Sequence, residues 1–182
     1  MFALRSAGAT SVGPNKVLYY IGGIEQDLLR NFDIDTPIPP KDFTFRAPAP
    51  NLRGFDTNVR NGSTFLLANS EFRLPILKML GAENVRLSIL RNLQLVSFFD
   101  VGLAWHGPSP YSEDNPINTV TIENPPIVEV TVQYFRDPLI MSYGAGLRTS
   151  LFGYFIRLDY GWGVETRAIQ SPKLHLALGT DF

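Results

Sequence analysis

The stretch that decides the fold is residues 154–165, YFIRLDYGWGVE, in which apolar residues alternate with polar or small ones. This period-two pattern predicts a β-strand with one apolar and one polar face. Its length exceeds the about 9 to 11 residues that a tilted strand needs to cross a bilayer. The apolar face carries Tyr154, Ile156, Leu158, Tyr160, Trp162 and Val164, and the other carries Phe155, Arg157, Asp159, Gly161, Gly163 and Glu165.

The same alternation extends to other stretches of the chain. It is clear in residues 139–151 and 173–182, and less regular in four earlier segments. We therefore predict seven antiparallel strands in total. The earlier four are 2–11, 16–23, 64–74 and 87–105.

The predicted connections alternate between short and long. Eleven of the 14 prolines fall in two windows, 37–50 and 108–138, and mark these as loops, since proline cannot donate to a strand ladder. Outer-membrane barrels place short turns on the periplasmic side and long loops outside, so this alternation predicts a periplasmic C-terminus. The predicted connections are 13–15, 24–63, 75–86, 106–138, 152–153 and 166–172.

Composition excludes several classes of protein. A net charge of −1 without a dense basic block argues against nucleic-acid binding, and the lack of cysteine excludes disulfides and thiolate sites. No stretch approaches the roughly 20 apolar residues of a membrane-spanning helix. The N-terminus lacks the pattern of a signal peptide, so a barrel would require further sequence before Met1.

A soluble β-sandwich also alternates, so the contents of the two faces must separate it from a barrel. Tyrosine and tryptophan near strand ends are typical of the aromatic girdles of membrane barrels. Glycines on the polar face suit an interior where another segment comes close. These features favour an all-β, antiparallel transmembrane β-barrel. Seven strands are too few and odd in number for a bacterial barrel, so we expect a larger unit.

Two motifs point to a family. The long loop contains Leu52-Arg53-Gly54-Phe55, and the fourth strand contains Phe98-Phe99-Asp100-Val101-Gly102. Together they resemble the bacterial surface antigen family, the barrel of outer-membrane protein assembly factors and two-partner secretion transporters. The segment 19–23, YYIGG, is similar to the strand that enters the loop in that family.

The resemblance implies a site as well as a fold. Residues 1–182 would be the C-terminal portion of a single barrel domain, the last seven strands of a sixteen-stranded barrel. The loop tip would fold into the lumen, where Arg53 would meet Asp100 on the inner wall. Gly54 would allow the turn and Gly102 would leave room for it. The implied location is the bacterial outer membrane, and the implied work is insertion or translocation of polypeptides.

The chain end fits this interpretation. An apolar face made of Leu174, Leu176, Leu178 and the terminal aromatic Phe182 resembles the signal that the barrel assembly machinery reads. The expected partners are outer-membrane lipid, that machinery, and client polypeptides or periplasmic proteins.

Catalytic and metal-binding motifs are missing from the sequence. His106 and His175 lie far apart, without cysteine or a helical carboxylate set, so we expect no metal, no cofactor and no enzyme activity. The acidic residues of the second proline-rich window indicate a solvated surface, with calcium binding as the sharper hypothesis. These are Glu113, Asp114, Glu123 and Glu129.

Two alternatives stay open. The barrel could only anchor an upstream periplasmic propeller, binding domain or hydrolase domain. The chain could also be a soluble β-sandwich binding module, which would be monodisperse without detergent.

Overall fold

The computed structural model describes residues 1–36, 38, 43–49, 51–79, 92–112, 115, 119–124, 128–133, 136–151 and 153–179. This part of the chain is all-β, and its one helix, α1 (Ile76–Met79), is a single turn. Within it, no helix has the length and apolar character to span a membrane. In chain order the strands are β1 (Phe2–Thr10), β2 (Lys16–Ile21), β3 (Phe43–Pro48), β4 (Arg60–Gly62), β5 (Thr64–Pro75), β6 (Gln94–Trp105), β7 (Thr119–Asn124), β8 (Val128–Gln133), β9 (Leu139–Leu151), β10 (Tyr154–Glu165), β11 (Ala168–Ile169) and β12 (Lys173–Gly179).

The long strands form one antiparallel main sheet in the order β1-β5-β6-β9-β10, and β10 also pairs with β11 and β12. β1 and β12 lie at opposite ends of this order, and the described strands do not close into a barrel. β2, β3 and β4 form a separate three-stranded sheet, and β7 pairs with β8 in a hairpin.

The two faces of the main sheet differ in their surroundings. Residues on the inner face are buried, as at Val96, Asp100 and Asp159, whereas their neighbours on the outer face are exposed. The alternation predicted for the strands is therefore observed. Register aligns a row of leucines across five strands of the outer face: Leu74, Leu95, Leu147, Leu158 and Leu176.

A long segment covers the inner face. Residues 11–63, here called the inward loop, connect the neighbouring strands β1 and β5 and carry the small sheet of β2, β3 and β4. The hydrophobic core lies between the two layers, because apolar side chains of the loop pack against the inner face of the sheet. Its buried members are Ile21, Ala49, Leu52, Phe55, Val59, Phe65, Leu67, Ala104 and Ile140.

One of the seven predicted strands is not part of the main sheet. The segment 16–23 was expected to pair beside the first strand, but β1 pairs with β5, and β2 pairs with β3 and β4. Its residues Val17–Ile21 are nearly all apolar rather than alternating, which suits a strand buried between layers. The turn at 13–15 therefore leads the chain inward.

This correction changes the pattern of connections. The strands of the main sheet are now connected at one end by 11–63, 106–138 and 166–172, and at the other end by 76–93 and 152–153. The bounds of the other predicted strands agree with the structure where it describes them. Five short strands lie in segments that we predicted to be loops: β3, β4, β7, β8 and β11. The proline rule missed β3 because it is an edge strand that ends at Pro48, a position where proline is tolerated. Two parts of the predicted strands, residues 87–91 and 180–182, lie outside the described residues.

Candidate functional site: the loop tip on the inner face

The inward loop forms a short tip between two segments that both bond to the end of β2, since Asn58 beyond the tip also donates to the carbonyl of Ile21 at 3.1 Å. The amide of Leu52 donates to the carbonyl of Gly23 at 2.9 Å, and that of Ala49 donates to Tyr20 at 2.8 Å. The tip, residues 52–55, projects from this ladder onto the inner face of the main sheet. Leu52 and Phe55 are buried there in the core.

Arg53 is the centre of the site. Its Nε and Nη2 donate to the two carboxylate oxygens of Asp100 at 2.7 and 2.6 Å, a bidentate pair. Its Nη1 reaches Glu71 at 2.6 Å and lies 3.8 Å from Asp159. The guanidinium carbon also lies 3.9 Å from the ring centroid of Phe98, within the range of a cation–π contact.

The positive charge of Arg53 is balanced by carboxylates, although the site is buried. Arg53 is 1% exposed and Asp100 is 0% exposed. Burial by itself opposes the charge, but Asp100, Asp159 and Glu71 outweigh it and raise the pKa of Arg53 above its usual value. The guanidinium is therefore held in its charged form at the interface between loop and sheet.

Gly54 lets the tip lie flat on β10. Its φ is +78°, a conformation that favours glycine. A Cβ at this position would lie 3.0 Å from the backbone nitrogen of Gly163. On the sheet side, a Cβ at Gly163 would lie 2.4 Å from the ring of Phe55. The glycines of both layers thus allow backbone-to-backbone contact.

His175 binds the tip from the last strand. The amide of Gly54 donates to its Nε2 at 3.0 Å, so that nitrogen is an acceptor. The neutral ring then carries its proton on Nδ1 and donates it to Asp27 at 2.7 Å. His175 is 4% exposed and connects two separate parts of the inward loop.

Asp27 also places the loop on the free edge of β12. Its other carboxylate oxygen accepts from the amide of Leu176 at 3.1 Å, and the amide of Leu28 donates to the carbonyl of Leu176 at 2.8 Å. Asp27 forms an antiparallel bridge with Ala177. The edge of the last strand is therefore partly covered by its own chain.

Arg60 is a second buried cation that the sequence did not reveal. It is fully buried in β4 and pairs with Glu165 at the end of β10 at 2.8 Å. Burial lowers its pKa from the usual value, and Glu165 opposes this shift. Two further contacts join loop and sheet, an ion pair of Lys173 with Asp56 and a hydrogen bond from Asn69 to Asn51.

The remaining predicted residues are distributed as follows. Phe98 is buried beneath the Arg53 guanidinium, and Gly102 faces the core, where a Cβ would lie 2.8 Å from Leu67. Leu174 and Leu178 are exposed on the outer face, and Leu176 is half-buried. Phe182 lies outside the described residues.

The acidic residues of the second proline-rich window are only partly described. Glu113 and Asp114 lie outside the described residues. Glu123 and Glu129 are register partners in the hairpin of β7 and β8. Calcium binding in this window stays a hypothesis.

The site can hold a loop in place, and its chemistry is that of ion pairs and hydrogen bonds. Of its parts, the sequence pointed to the Arg53 and Asp100 motifs. It gave no signal for Asp27, Arg60 or Glu71, whose partners lie far away in the chain. No family model, curated protein or solved structure matches this chain.

Proposed function

We propose that the chain forms part of an outer-membrane β-barrel of the bacterial surface antigen family, which inserts or translocates polypeptides at the outer membrane. The observation that carries the proposal is the apolar character of the uncovered face of the main sheet, which exposes leucine and aromatic side chains. The covered face buries the polar residues Asp100, Asp159 and His175 beside the hydrophobic core. A soluble sheet that is covered on one side presents mainly polar residues to water on the other.

Lipid is the environment that suits the uncovered face. Phe99, Leu147 and Leu178 are 47%, 39% and 43% exposed and lie on one continuous surface. Contiguous exposed apolar patches of this kind mark membrane or protein contacts. β5, β6 and β10 each have 12 residues, beyond the about 9 to 11 that a tilted strand needs to span the hydrocarbon.

Aromatic residues of the outer face agree with a membrane interface. Tyr143 stacks on Trp162 with ring centroids 5.8 Å apart, and Tyr160 contacts the same indole at 5.0 Å. Such side chains are enriched at the headgroup level of barrels, where an apolar ring and a polar tip are both satisfied. They lie towards the end of the sheet that carries the long loops.

The proposed mechanism uses the edges of the sheet rather than catalysis. β1 and β12 are the terminal strands of the described sheet, and such strands present backbone groups to which another strand can add. At β12 the segment 26–28 of the inward loop already bonds Leu176. A polypeptide that pairs along this whole edge would have to displace that segment, so the loop would control access to the seam.

A labelling experiment tests the membrane location. The chain contains no cysteine, so a single Leu147→Cys can carry an environment-sensitive fluorophore after refolding into liposomes. We expect quenching by spin-labelled lipid at this position, and none at the exposed turn position Val12→Cys. Monodisperse behaviour without detergent, with equal quenching at both positions, would instead favour the soluble β-sandwich.

A depletion experiment tests the function separately. Removing the protein from its bacterium should lower the abundance of a subset of outer-membrane or secreted proteins. An unchanged envelope and secreted proteome would contradict assembly and translocation. It would leave the membrane location intact and favour the anchoring alternative.

A further inference from the structure

A cavity of about 600 Å³ lies on the inner face, at the end of the main sheet where β6 and β10 begin and β5 and β9 end. Its walls include arginines from four strands and the tip of the inward loop. Its volume falls in the usual range of binding pockets, about 300 to 1,000 Å³. The arginines are Arg5, Arg53, Arg73, Arg148 and Arg157.

The charges around this arginine cavity are unequal. Four guanidinium groups, those of Arg53, Arg73, Arg148 and Arg157, surround only three carboxylates, those of Glu71, Asp100 and Asp159. Glu71 alone accepts from three of these arginines. At the cavity mouth, the exposed Arg5 and Glu25 have opposite charges. The described lining therefore has an excess of positive charge.

Two of these arginines oppose each other directly. Arg148 and Arg157 are register partners on β9 and β10, and like charges in that position destabilise a sheet. Arg148 is 11% exposed in its side chain, and its Nε has no hydrogen-bond partner among the residues that the structure describes. An unsatisfied buried donor is costly, so an added acceptor here would be stabilising.

We propose that the arginine cavity binds a carboxylate side chain of an acidic polypeptide segment, held between Arg148 and Arg157. The inference deepens the proposed function and rests on it, since it names the chemistry of the polypeptide handled. A guanidinium fork binds a carboxylate bidentately. The incoming carboxylate accepts from Arg148 Nε, which Glu71 leaves unbonded although it pairs with Nη2 of the same side chain.

The rest of the lining favours peptide over lipid. Asn51, Asn92 and Gln94 add amide groups and Ser150 adds a hydroxyl, which can bond the backbone of an extended chain. A lipid headgroup would bring acyl chains, which need an apolar wall. The exposed leucines form that kind of wall on the opposite face of the sheet.

The test is a binding titration with the full chain refolded in zwitterionic detergent. A short fluorescein-labelled peptide of alternating glutamate and glycine is compared with its glutamine counterpart by fluorescence anisotropy. We expect the acidic peptide to bind about tenfold tighter or more, with the difference falling as salt rises, because charge-assisted bonds discriminate between them. Arg148→Gln and Arg157→Gln should each remove most of this preference.

Matched variants separate this site from general electrostatics. Arg167 is exposed in the turn beyond β10, outside the cavity lining, so Arg167→Gln should leave binding unchanged. Glu71→Gln should tighten binding, because it removes the carboxylate that competes for Arg73 and Arg148. If Arg157→Gln fails to fold, Arg157→Lys keeps the charge and should bind with intermediate affinity.

Three outcomes would overturn the proposal. The two peptides could bind equally, or both glutamine variants could keep the preference. Inorganic phosphate could also displace the acidic peptide at equal concentration, which would indicate a site for small anions. None of these outcomes affects the lipid-quenching result, so failure here is distinguishable from failure of the membrane proposal.

Discussion

Arg53 shows how one side chain can hold two layers of the molecule together. It pairs with Asp100 on β6 and Glu71 on β5, and lies near Asp159 on β10. A planar guanidinium with five donors can make these contacts at once, whereas a lysine ammonium cannot match the bidentate geometry. The loop tip is therefore tied to three strands through one residue.

Replacing Arg53 with methionine should destabilise the protein by about 3 to 5 kcal/mol, because Asp100 would keep a buried charge without its partner. The free energy of unfolding in urea, measured in detergent micelles, checks this. Arg46→Met, at an exposed position of β3, should change it by less than about 0.5 kcal/mol. Equal stability of the two variants would contradict the central role of Arg53.

The surroundings of Arg53 also decide what charge reversal can do. The motifs alone suggest that exchanging the charges of Arg53 and Asp100 would partly restore the pair. In the structure an aspartate at position 53 would face Glu71 and Asp159. We therefore expect Arg53→Asp with Asp100→Arg to remain well below wild-type stability, because Glu71 and Asp159 would repel the new carboxylate. Recovery to within about 1 kcal/mol of wild type, measured in the same way, would contradict this.

His106 makes stability depend on pH. Burial, with a smaller effect of Lys16, lowers its pKa to about 4, and its Nδ1 accepts a bond from the Ser63 amide. Its unfolded pKa is about 6.5. The unfolded chain therefore binds a proton first as pH falls, and stability is lost between about 6.5 and 4.

His106→Asn should remove this part of the pH dependence, because its amide oxygen can accept the same bond without titrating. The measurement is the urea midpoint at pH 7.5 and pH 4.5 for both proteins. The wild type should lose more stability than the variant over this interval. Parallel losses would show that His106 is not responsible.

At the scale of elements, the inward loop behaves as a folded layer rather than a flexible connection. It has its own small sheet and contributes Ile21, Leu52 and Phe55 to the core. Ion pairs and hydrogen bonds to β5, β6, β10 and β12 hold it at several points. Ordering a segment of this length costs considerable conformational entropy, and these contacts offset that cost.

Two glycines with positive φ provide a matched test of that contact. Gly54 and Gly153 have φ of +78° and +84°, but a Cβ would meet backbone atoms only at Gly54 and open space at Gly153. Gly153→Ala should cost about 1 to 2 kcal/mol from backbone strain alone. Gly54→Ala should cost about 1 to 3 kcal/mol more, because the tip must lift from β10.

Urea unfolding measures the destabilisation of each glycine variant, and limited proteolysis shows which segment of the chain is loosened. The Gly54 variant should be cut within residues 24–63, whereas the Gly153 variant should keep the wild-type pattern. Equal destabilisation and equal cleavage would show that the tip does not depend on close contact with β10.

At the scale of the whole molecule, the exposed apolar face of the main sheet can be tested for contact with lipid. In water, Leu147→Arg at a 39% exposed position should change stability by less than about 0.5 kcal/mol. In a bilayer, an arginine on the lipid face costs about 2 to 4 kcal/mol at the midplane and less near the interfaces. The proposed function therefore predicts a loss of this order.

The measurement is the urea stability of the protein refolded into liposomes. Leu28→Arg is the control, because Leu28 is exposed on the inward loop rather than on the sheet face. It should behave like wild type. A neutral result for Leu147→Arg would argue against lipid contact at this strand.

Much of the fold could be predicted because strand periodicity is local. The alternation in β9, β10 and β12 identified each strand and both of its faces, since successive side chains of a strand must point in opposite directions. The same alternation predicts that Asp100 lies on the inner face of its strand. Its pairing with Arg53 was expected from the two motifs.

What the sequence could not determine was how distant segments meet. The apolar run of β2 could pair with β1 or lie inside, and only the register of β1 with β5 places it in the inward loop. Glu71, Asp27 and Arg60 carry no local signal, because their partners are brought near by the fold. The sequence by itself thus determined the long strands of the main sheet and their faces, which depend on adjacent residues. The tertiary structure alone decided the charge network at the loop tip, because burial and pairing arise only when two layers come together.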